Sequence, residues 1–194
     1  MAIVQRRRSR PIGQAMSIAQ FLDLPERKPY LELEDGVVTC KVSPKGEHSS
    51  LQGGLFALAV ALIAPAKHGR VFPELRVTFG GQSRVPDLSI YRWDRIERKA
   101  NSEVATDFVS PPDVTIEILS PGQSVTKLMT RCLWYVSNGV QAALLVHERQ
   151  RTIVVFRPGQ EPRSLRHTDR IDLSAVIDGL SFTVTDVFAT LRID

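Results

Sequence analysis

Two short apolar segments of this sequence each contain a single carboxylate. Residues 85–91 read Val-Pro-Asp-Leu-Ser-Ile-Tyr and residues 114–119 read Val-Thr-Ile-Glu-Ile-Leu, so Asp87 and Glu117 lie among the side chains of strand-like segments. An ionised carboxylate is almost never fully buried without a partner, because its desolvation is unfavourable. Any fold that buries both segments must therefore compensate both charges. Two such strands side by side predict a metal site.

The chemistry of that site follows from the two acids. Mg2+ favours one or two carboxylates together with waters and phosphate oxygens, and Asp87 and Glu117 supply such a pair if their strand faces coincide. Each residue alone has a second interpretation. Asp87 could cap a turn after Pro86, and Glu117 could pair with a nearby arginine.

The remaining sequence predicts the elements around these strands. A short helix is expected at residues 16–24, a hairpin about Asp35-Gly36, and a long helix whose first turn contains His48. Residues 71–79 read as one strand, and residues 142–147 and 152–157 as two more. A helix from Ser124 to Asn138 follows the Glu117 segment.

Length and charge predict the domain organisation. The 194 residues suit a single domain at residues 16–194, preceded by a basic, disordered arm at residues 1–15. Lys and Arg number 25 against 21 Asp and Glu, and four arginines within residues 1–10 account for the whole difference. The rest of the chain is nominally neutral, so a nucleic-acid function cannot be argued from net charge alone.

Cellular location is predicted from what the sequence lacks. No apolar run approaches the roughly 20 residues that span a bilayer. The basic start is not followed by the apolar stretch of a secretory signal. We therefore expect a cytoplasmic protein without a membrane partner.

An ordered set of motifs resembles the Uma-two family of restriction-endonuclease-like proteins, within the PD-(D/E)xK nuclease superfamily. The motifs are Glu-Leu-Glu-Asp-Gly at 32–36, Ser-Pro-x-x-x-His at 43–48, Arg-Val-Pro-Asp-Leu-Ser at 84–89, Pro-Asp-Val-Thr-Ile-Glu-Ile-Leu-Ser-Pro at 112–121, Tyr-x-x-x-Gly-Val at 135–140 and Gly-Leu-Ser-Phe-Thr-Val at 179–184. The resemblance covers roughly residues 17–191. It implies an α/β restriction-endonuclease-like fold, with a mixed sheet flanked by helices.

The resemblance also implies a function and a set of site residues. A metal-dependent DNA endonuclease that hydrolyses phosphodiester bonds is expected, with DNA as partner and Mg2+ as cofactor, for which Mn2+ can substitute. Asp87 and Glu117 match the two acids of the superfamily motif, and the backbone carbonyl of Ile118 is a further metal ligand. Glu32 and His48 match motif positions near the site, although an exposed strand glutamate and a surface histidine are the alternatives.

The chain departs from the family pattern where a basic residue is expected. The superfamily places a lysine two residues after the second acid, and that position is Leu119. The family resemblance places a lysine on the following helix instead, at the position of Arg131, and an aspartate one turn earlier, at the position of Lys127. Because arginine does not release its proton, Lys127 is predicted to assist catalysis, with Arg131 as the second candidate.

Two other functions remain open from the sequence. One is a catalytically impaired nucleic-acid-binding or scaffolding protein on the same fold, which Leu119 and Arg131 favour. The other is a metal hydrolase of small phosphoesters. A homodimer is also left open.

Overall fold

The structure is a computed structural model that describes residues 11–193, which form four α-helices and twelve strands. The helices are α1 (Ile18–Leu22), α2 (Gly46–Ile63), α3 (Val125–Ser137) and α4 (Val184–Ala189). The strands are β1 (Leu31–Glu34), β2 (Val37–Cys40), β3 (Gly69–Pro73), β4 (Val77–Phe79), β5 (Gln82–Arg84), β6 (Leu88–Arg92), β7 (Val114–Leu119), β8 (Ala142–His147), β9 (Thr152–Phe156), β10 (Arg163–Arg166), β11 (Arg170–Asp172) and β12 (Ser181–Thr183).

The central sheet has six strands in the order β10-β9-β8-β7-β6-β3. Strands β7 and β8 run parallel and are joined by α3, as a parallel pair requires a crossover connection. The other neighbouring strands of this sheet are antiparallel. Apolar residues of α2 and α4 pack on one face and those of α3 on the other. The predicted fold class, a mixed sheet flanked by helices, is confirmed.

A smaller sheet, in the order β2-β1-β5-β4, carries the predicted hairpin. Its turn is formed by Asp35 and Gly36, which have φ values of 50° and 75°, as a tight two-residue hairpin turn requires. Strand β5 of this small sheet leads through residues 85–87 directly into β6 of the central sheet. The two sheets therefore meet where Asp87 lies.

Two predicted boundaries differ from the structure. The strand predicted at residues 71–79 is two strands, β3 and β4, which belong to different sheets; Glu74 between them has a φ of 48° that interrupts the extended chain. Residues 13–15, assigned by the sequence to the arm, pair with β2: the Gly13 N–H donates to the Val38 carbonyl at 2.8 Å. The folded part thus begins before residue 16. Residues 1–10 of the predicted arm lie outside the described residues.

The two helices that flank the carboxylate strands begin as predicted. The Ser124 hydroxyl accepts a hydrogen bond from the Lys127 N–H at the start of α3, and His48 lies in the first turn of α2. Among residues 11–193, no helix combines the length and the hydropathy that a bilayer crossing requires.

Two adjacent glycines of α2 give a matched test of how tightly this helix packs on α4. A methyl group at Gly54 would overlap with the side chain of Thr190, whereas a methyl group at Gly53 meets nothing within 4 Å. We expect Gly54→Ala to lower the free energy of unfolding by about 1–3 kcal/mol. Gly53→Ala should raise it by up to about 1 kcal/mol, because alanine favours helix. Urea unfolding of both variants measures the difference, and equal stabilities would contradict the close packing.

Candidate active site

A cavity of about 290 Å³ opens between the small sheet, the first turns of α2 and α3, and the adjoining ends of β6 and β7. It brings together all the residues that the sequence singled out for the site. These residues are Glu32, His48, Asp87, Glu117, Ile118, Lys127 and Arg131.

Asp87 is held by groups from three different elements. Its Oδ1 lies 2.6 Å from Lys41 Nζ and 3.2 Å from His48 Nε2, and its Oδ2 accepts a hydrogen bond of 2.7 Å from the Ile118 N–H. The side chain is buried, with 2% of the residue exposed. Burial alone raises the pKa of Asp87, but the Lys41 ammonium and the hydrogen bond from His48 outweigh it and lower the pKa to about 2. Asp87 is therefore a carboxylate at neutral pH.

Glu117 is buried in β7 on the face covered by α3. Its Oε1 accepts a hydrogen bond of 2.7 Å from the Tyr135 hydroxyl and lies 3.5 Å from Arg131 Nη1. Its Oε2 has no hydrogen-bond partner among residues 11–193. Burial raises the pKa of Glu117, and the charges of Arg131 and Lys41 oppose that rise. The acid thus has one oxygen fixed by protein groups and one left for another ligand.

Arg131 connects Glu117 to Glu32 of the hairpin. Its Nη1 and Nη2 donate to Glu32 Oε1 and Oε2 at 3.1 and 2.8 Å, which is a bidentate pair. Glu32 Oε1 also accepts from the Val85 N–H at 2.8 Å. Burial lowers the pKa of Arg131, but its carboxylate neighbours have the larger effect and raise the pKa overall. The guanidinium therefore stays charged. Glu32 is 1% exposed, so the alternative of an exposed strand glutamate is wrong.

Lys41 is the residue of this cavity that the sequence reasoning missed. Its Nζ donates to Asp87 Oδ1 at 2.6 Å and to the Val85 carbonyl at 2.7 Å. Burial lowers its pKa, and the carboxylates of the cavity outweigh that effect and raise the pKa overall. A signal was present in the hairpin. Glu32 lies opposite Thr39 in the register, so the alternation of a strand places Lys41 on the same face as Glu32.

Lys127 and His48 have different surroundings. Lys127 is exposed at the rim of the cavity, and it forms no ion pair within the described part of the chain, whereas Arg131 lies beside Glu117. His48 is buried between Asp87 and Ser120, with its Nδ1 2.8 Å from the Ser120 hydroxyl. The alternative of a surface histidine is therefore wrong.

The oxygen donors of the cavity fit a hard divalent cation. No group of three or more His, Cys, Asp and Glu side chains in residues 11–193 is placed to hold a metal ion. Asp87 and Glu117 nevertheless line one cavity, together with Ile118, which follows Glu117 in β7. The N–H and C=O of a strand residue lie on the same strand edge, so the Ile118 carbonyl lies on the edge where its N–H meets Asp87. Two carboxylates and a carbonyl suit Mg2+, which takes its other ligands from water and phosphate.

The lowered pKa of Asp87 predicts a change in acid stability. A carboxylate whose pKa is depressed by folding stabilises the native state above its unfolded value of about 3.9, and this contribution is lost as the pH falls toward the folded value. Between pH 5 and pH 2, the wild type should therefore lose about 2 kcal/mol more unfolding free energy than Asp87→Asn. Urea unfolding across this range measures both proteins. Parallel curves would show that Asp87 is not held as an ion.

Comparisons with known proteins bear on the same residues. A model of the Uma2 family, described as "Putative restriction endonuclease", matches residues 18–185. A crystal structure from Anabaena variabilis, described as "a putative nuclease belonging to DUF820", is similar with a TM-score of 0.87 and 35% sequence identity, over 91% of this chain and 99% of that chain. No curated protein matches the chain. The match to the family model takes in every candidate site residue and most of the sequence, and the chain belongs to the Uma2 family.

Proposed function

We propose that this protein is a metal-dependent nuclease that hydrolyses phosphodiester bonds in DNA. The family model and the similar crystal structure support a nuclease in general. The observation that carries the finer proposal is the pairing of Asp87 and Glu117 in one cavity, beside the half-buried cations Lys41 and Arg131. Carboxylates attract a metal ion and cations attract a phosphate, so the cavity offers both kinds of charge that the reaction needs.

Asp87, Glu117 and the carbonyl of Ile118 are the groups that would hold Mg2+ or Mn2+. When bound, such an ion lowers the pKa of a coordinated water and stabilises the negative charge that develops on the phosphate. The protein fixes both carboxylates in advance. The Ile118 N–H orients Asp87 and the Tyr135 hydroxyl orients Glu117, so neither side chain has to reorganise when ligands bind.

Lys41 is proposed to supply the positive charge that the superfamily lysine provides elsewhere. Its raised pKa keeps the ammonium protonated, so it cannot accept a proton from water at neutral pH. It can stabilise an anionic phosphate oxygen next to Asp87. Leu119, at the usual lysine position, is instead packed in the apolar core beneath α3. The hairpin thus replaces the charge that β7 lacks.

Arg131 is proposed to act as a positioning residue. Its guanidinium is bound to both oxygens of Glu32 and lies close to Glu117, so it fixes the hairpin against the acid of β7. The planar fork of arginine makes this bidentate contact, which a lysine cannot reproduce. Lys127, exposed at the rim, is free to approach a phosphate that enters the cavity.

One observation favours the alternative of a DNA-binding or scaffolding protein without turnover. The Oδ1 atom of Asp87 already pairs with Lys41, which competes with a metal ion for that oxygen. A carboxylate oxygen has two lone pairs. Lys41 and His48 occupy those of Oδ1, whereas Oδ2 accepts one hydrogen bond, from the Ile118 N–H, and so keeps one lone pair for a metal ion. Only an assay of cleavage separates the two functions.

Cleavage should require Glu117 and a divalent cation. Supercoiled plasmid, linear duplex and single-stranded DNA are incubated with Mg2+, Mn2+ or EDTA. Glu117→Gln should reduce the cleavage rate by at least about a hundredfold, or about 2.7 kcal/mol of barrier, since it removes a metal ligand while keeping the shape of the side chain. Isothermal titration should show weaker Mn2+ binding by the same variant.

Asp113→Asn is the control for loss of stability. Asp113 is also a buried aspartate, and it pairs with Arg95 at 2.6 Å outside this cavity. The Asp113→Asn variant should be less stable than the wild type, yet its metal-dependent cleavage when folded should stay within about threefold of the wild-type rate. Cleavage that persists in Glu117→Gln, or in EDTA, would refute the proposed site.

A comparison of two lysines tests the source of the positive charge. Lys41→Met should lower single-turnover cleavage by about tenfold or more, equivalent to about 1.4 kcal/mol. Lys127→Met should have a smaller effect, because Lys127 is exposed and forms no ion pair with Asp87 or Glu117. Saturating Mn2+ removes differences in metal affinity, and circular dichroism checks that Lys41→Met is folded. A larger loss of cleavage in Lys127→Met than in Lys41→Met would show that Lys127 supplies the positive charge, as the sequence predicted.

A further inference from the structure

A row of residues crosses the central sheet from the candidate site to its far edge. Leu119 of β7 lies opposite His147 of β8, His147 opposite Thr152 of β9, and Thr152 opposite Arg166 of β10. Residues in register share a face of the sheet, so Arg166 lies on the face that carries Glu117, two residues before Leu119. Three spacings between strands separate β7 from β10, or about 14 Å.

Two more arginines lie at the same end of the sheet. Arg149 and Arg151 belong to the turn between β8 and β9, next to the ends that carry His147 and Thr152. Both are exposed, as is Arg166, and none of the three forms an ion pair within the described part of the chain. The Arg151 guanidinium lies 5.2 Å from the centre of the Phe188 ring of α4, which packs on the other face of the sheet. We call Arg149, Arg151 and Arg166 the edge arginines.

Few acids balance the edge arginines. Glu148 of the same turn is buried, and Asp169 is exposed and accepts a hydrogen bond from the Arg166 N–H at 2.9 Å. The three arginines outnumber these two acids, which leaves a local excess of positive charge, although the folded chain as a whole is nearly neutral. The excess is local, and it lies beside the cavity.

The first turn of α3 lies between the cavity and the edge arginines. The helix follows β7 after the turn at residues 120–124, so its N-terminus is at the end of the sheet where β7 and β8 finish. Gly122, Gln123 and Lys127 line the cavity from this side. A polyanion that leaves the cavity across this turn meets Lys127 first and the edge arginines next.

We propose that the edge arginines bind the phosphate backbone of a DNA duplex whose scissile phosphodiester lies in the cavity. This inference rests on the proposed function and adds the surface that holds the substrate. A distance of about 14 Å corresponds to about four nucleotides along one strand of a duplex. Contacts to phosphate fix register and orientation on the duplex, and they carry no sequence information by themselves.

The strand β10 provides a matched pair of variants. Arg166 and Arg163 are both exposed arginines of this strand, but Arg163 lies opposite Val155, three residues toward the other end, and therefore on the other face. Arg166→Glu and Arg163→Glu change the net charge equally and both retain the basic residues 1–10. A difference in DNA affinity between the two variants therefore reflects which face of the sheet carries the changed charge.

Fluorescence anisotropy with a labelled duplex of about 25 base pairs, in Ca2+ in place of Mg2+, measures binding. Arg166→Glu should weaken affinity by about tenfold or more and reduce the slope of log K against log salt by about 0.9 or more, as expected for the loss of one phosphate contact. Arg149→Glu should act in the same direction. Arg163→Glu should stay within about twofold of the wild type.

Cleavage by the same variants separates this inference from the proposed function. Weaker binding by Arg166→Glu than by Arg163→Glu supports the surface, even if the wild type cuts no DNA and the proposed hydrolysis fails. Equal binding by the two variants, with wild-type cleavage intact, overturns the surface and leaves the proposed function standing. Absence of duplex binding by the wild type at low salt also overturns the surface.

Discussion

The carboxylate of Asp87 is the group on which the arrangement of this protein depends. Its two oxygens bind the Lys41 ammonium of the hairpin, the His48 ring of α2 and the Ile118 N–H of β7. A buried charge without such partners would be strongly unfavourable. The compensation of one ion therefore fixes how two sheets and a helix meet. If Asp87 is lost, the half-buried Lys41 ammonium keeps the Val85 carbonyl but loses its ion-pair partner, so the two residues stabilise each other.

A second set of charges repeats this arrangement on the other side of the cavity. Arg131 binds Glu32 through Nη1 and Nη2 and lies beside Glu117, which accepts a hydrogen bond from the Tyr135 hydroxyl. The cavity is thus lined by acids and bases that neutralise one another in the absence of ligands. The metal ion and phosphate of the proposed reaction carry opposite charges, so binding both together would change the net charge of such a site little.

The sequence predicted the parts of this site that depend on local pattern. Asp87 and Glu117 were recognisable because a charge within an apolar strand requires a partner, and α3 was recognisable from its cap and its apolar spacing. Lys41 was not predicted, since its partner Asp87 is 46 residues away, in the segment between β5 and β6. The division of residues 71–79 into two strands was also missed, because each half pairs with a different distant strand. Contacts of this kind are set by the packing of sheets and have no local signature, although the alternation of the hairpin does place Lys41 beside Glu32.

The site is divided between the two sheets. Glu32 and Lys41 belong to the small sheet, while Asp87 and Glu117 lie on the central sheet or its entrance. The hairpin β1–β2 packs in its own apolar cluster around Phe21 and Leu33, whereas Val77 and Phe79 of β4 pack in the core beneath α3. Elements with few core contacts can open locally at a free energy below that of global unfolding, and an opening of the hairpin alone would separate Lys41 from Asp87. Hydrogen exchange in the hairpin would therefore measure the fraction of molecules in which Lys41 is in place beside Asp87.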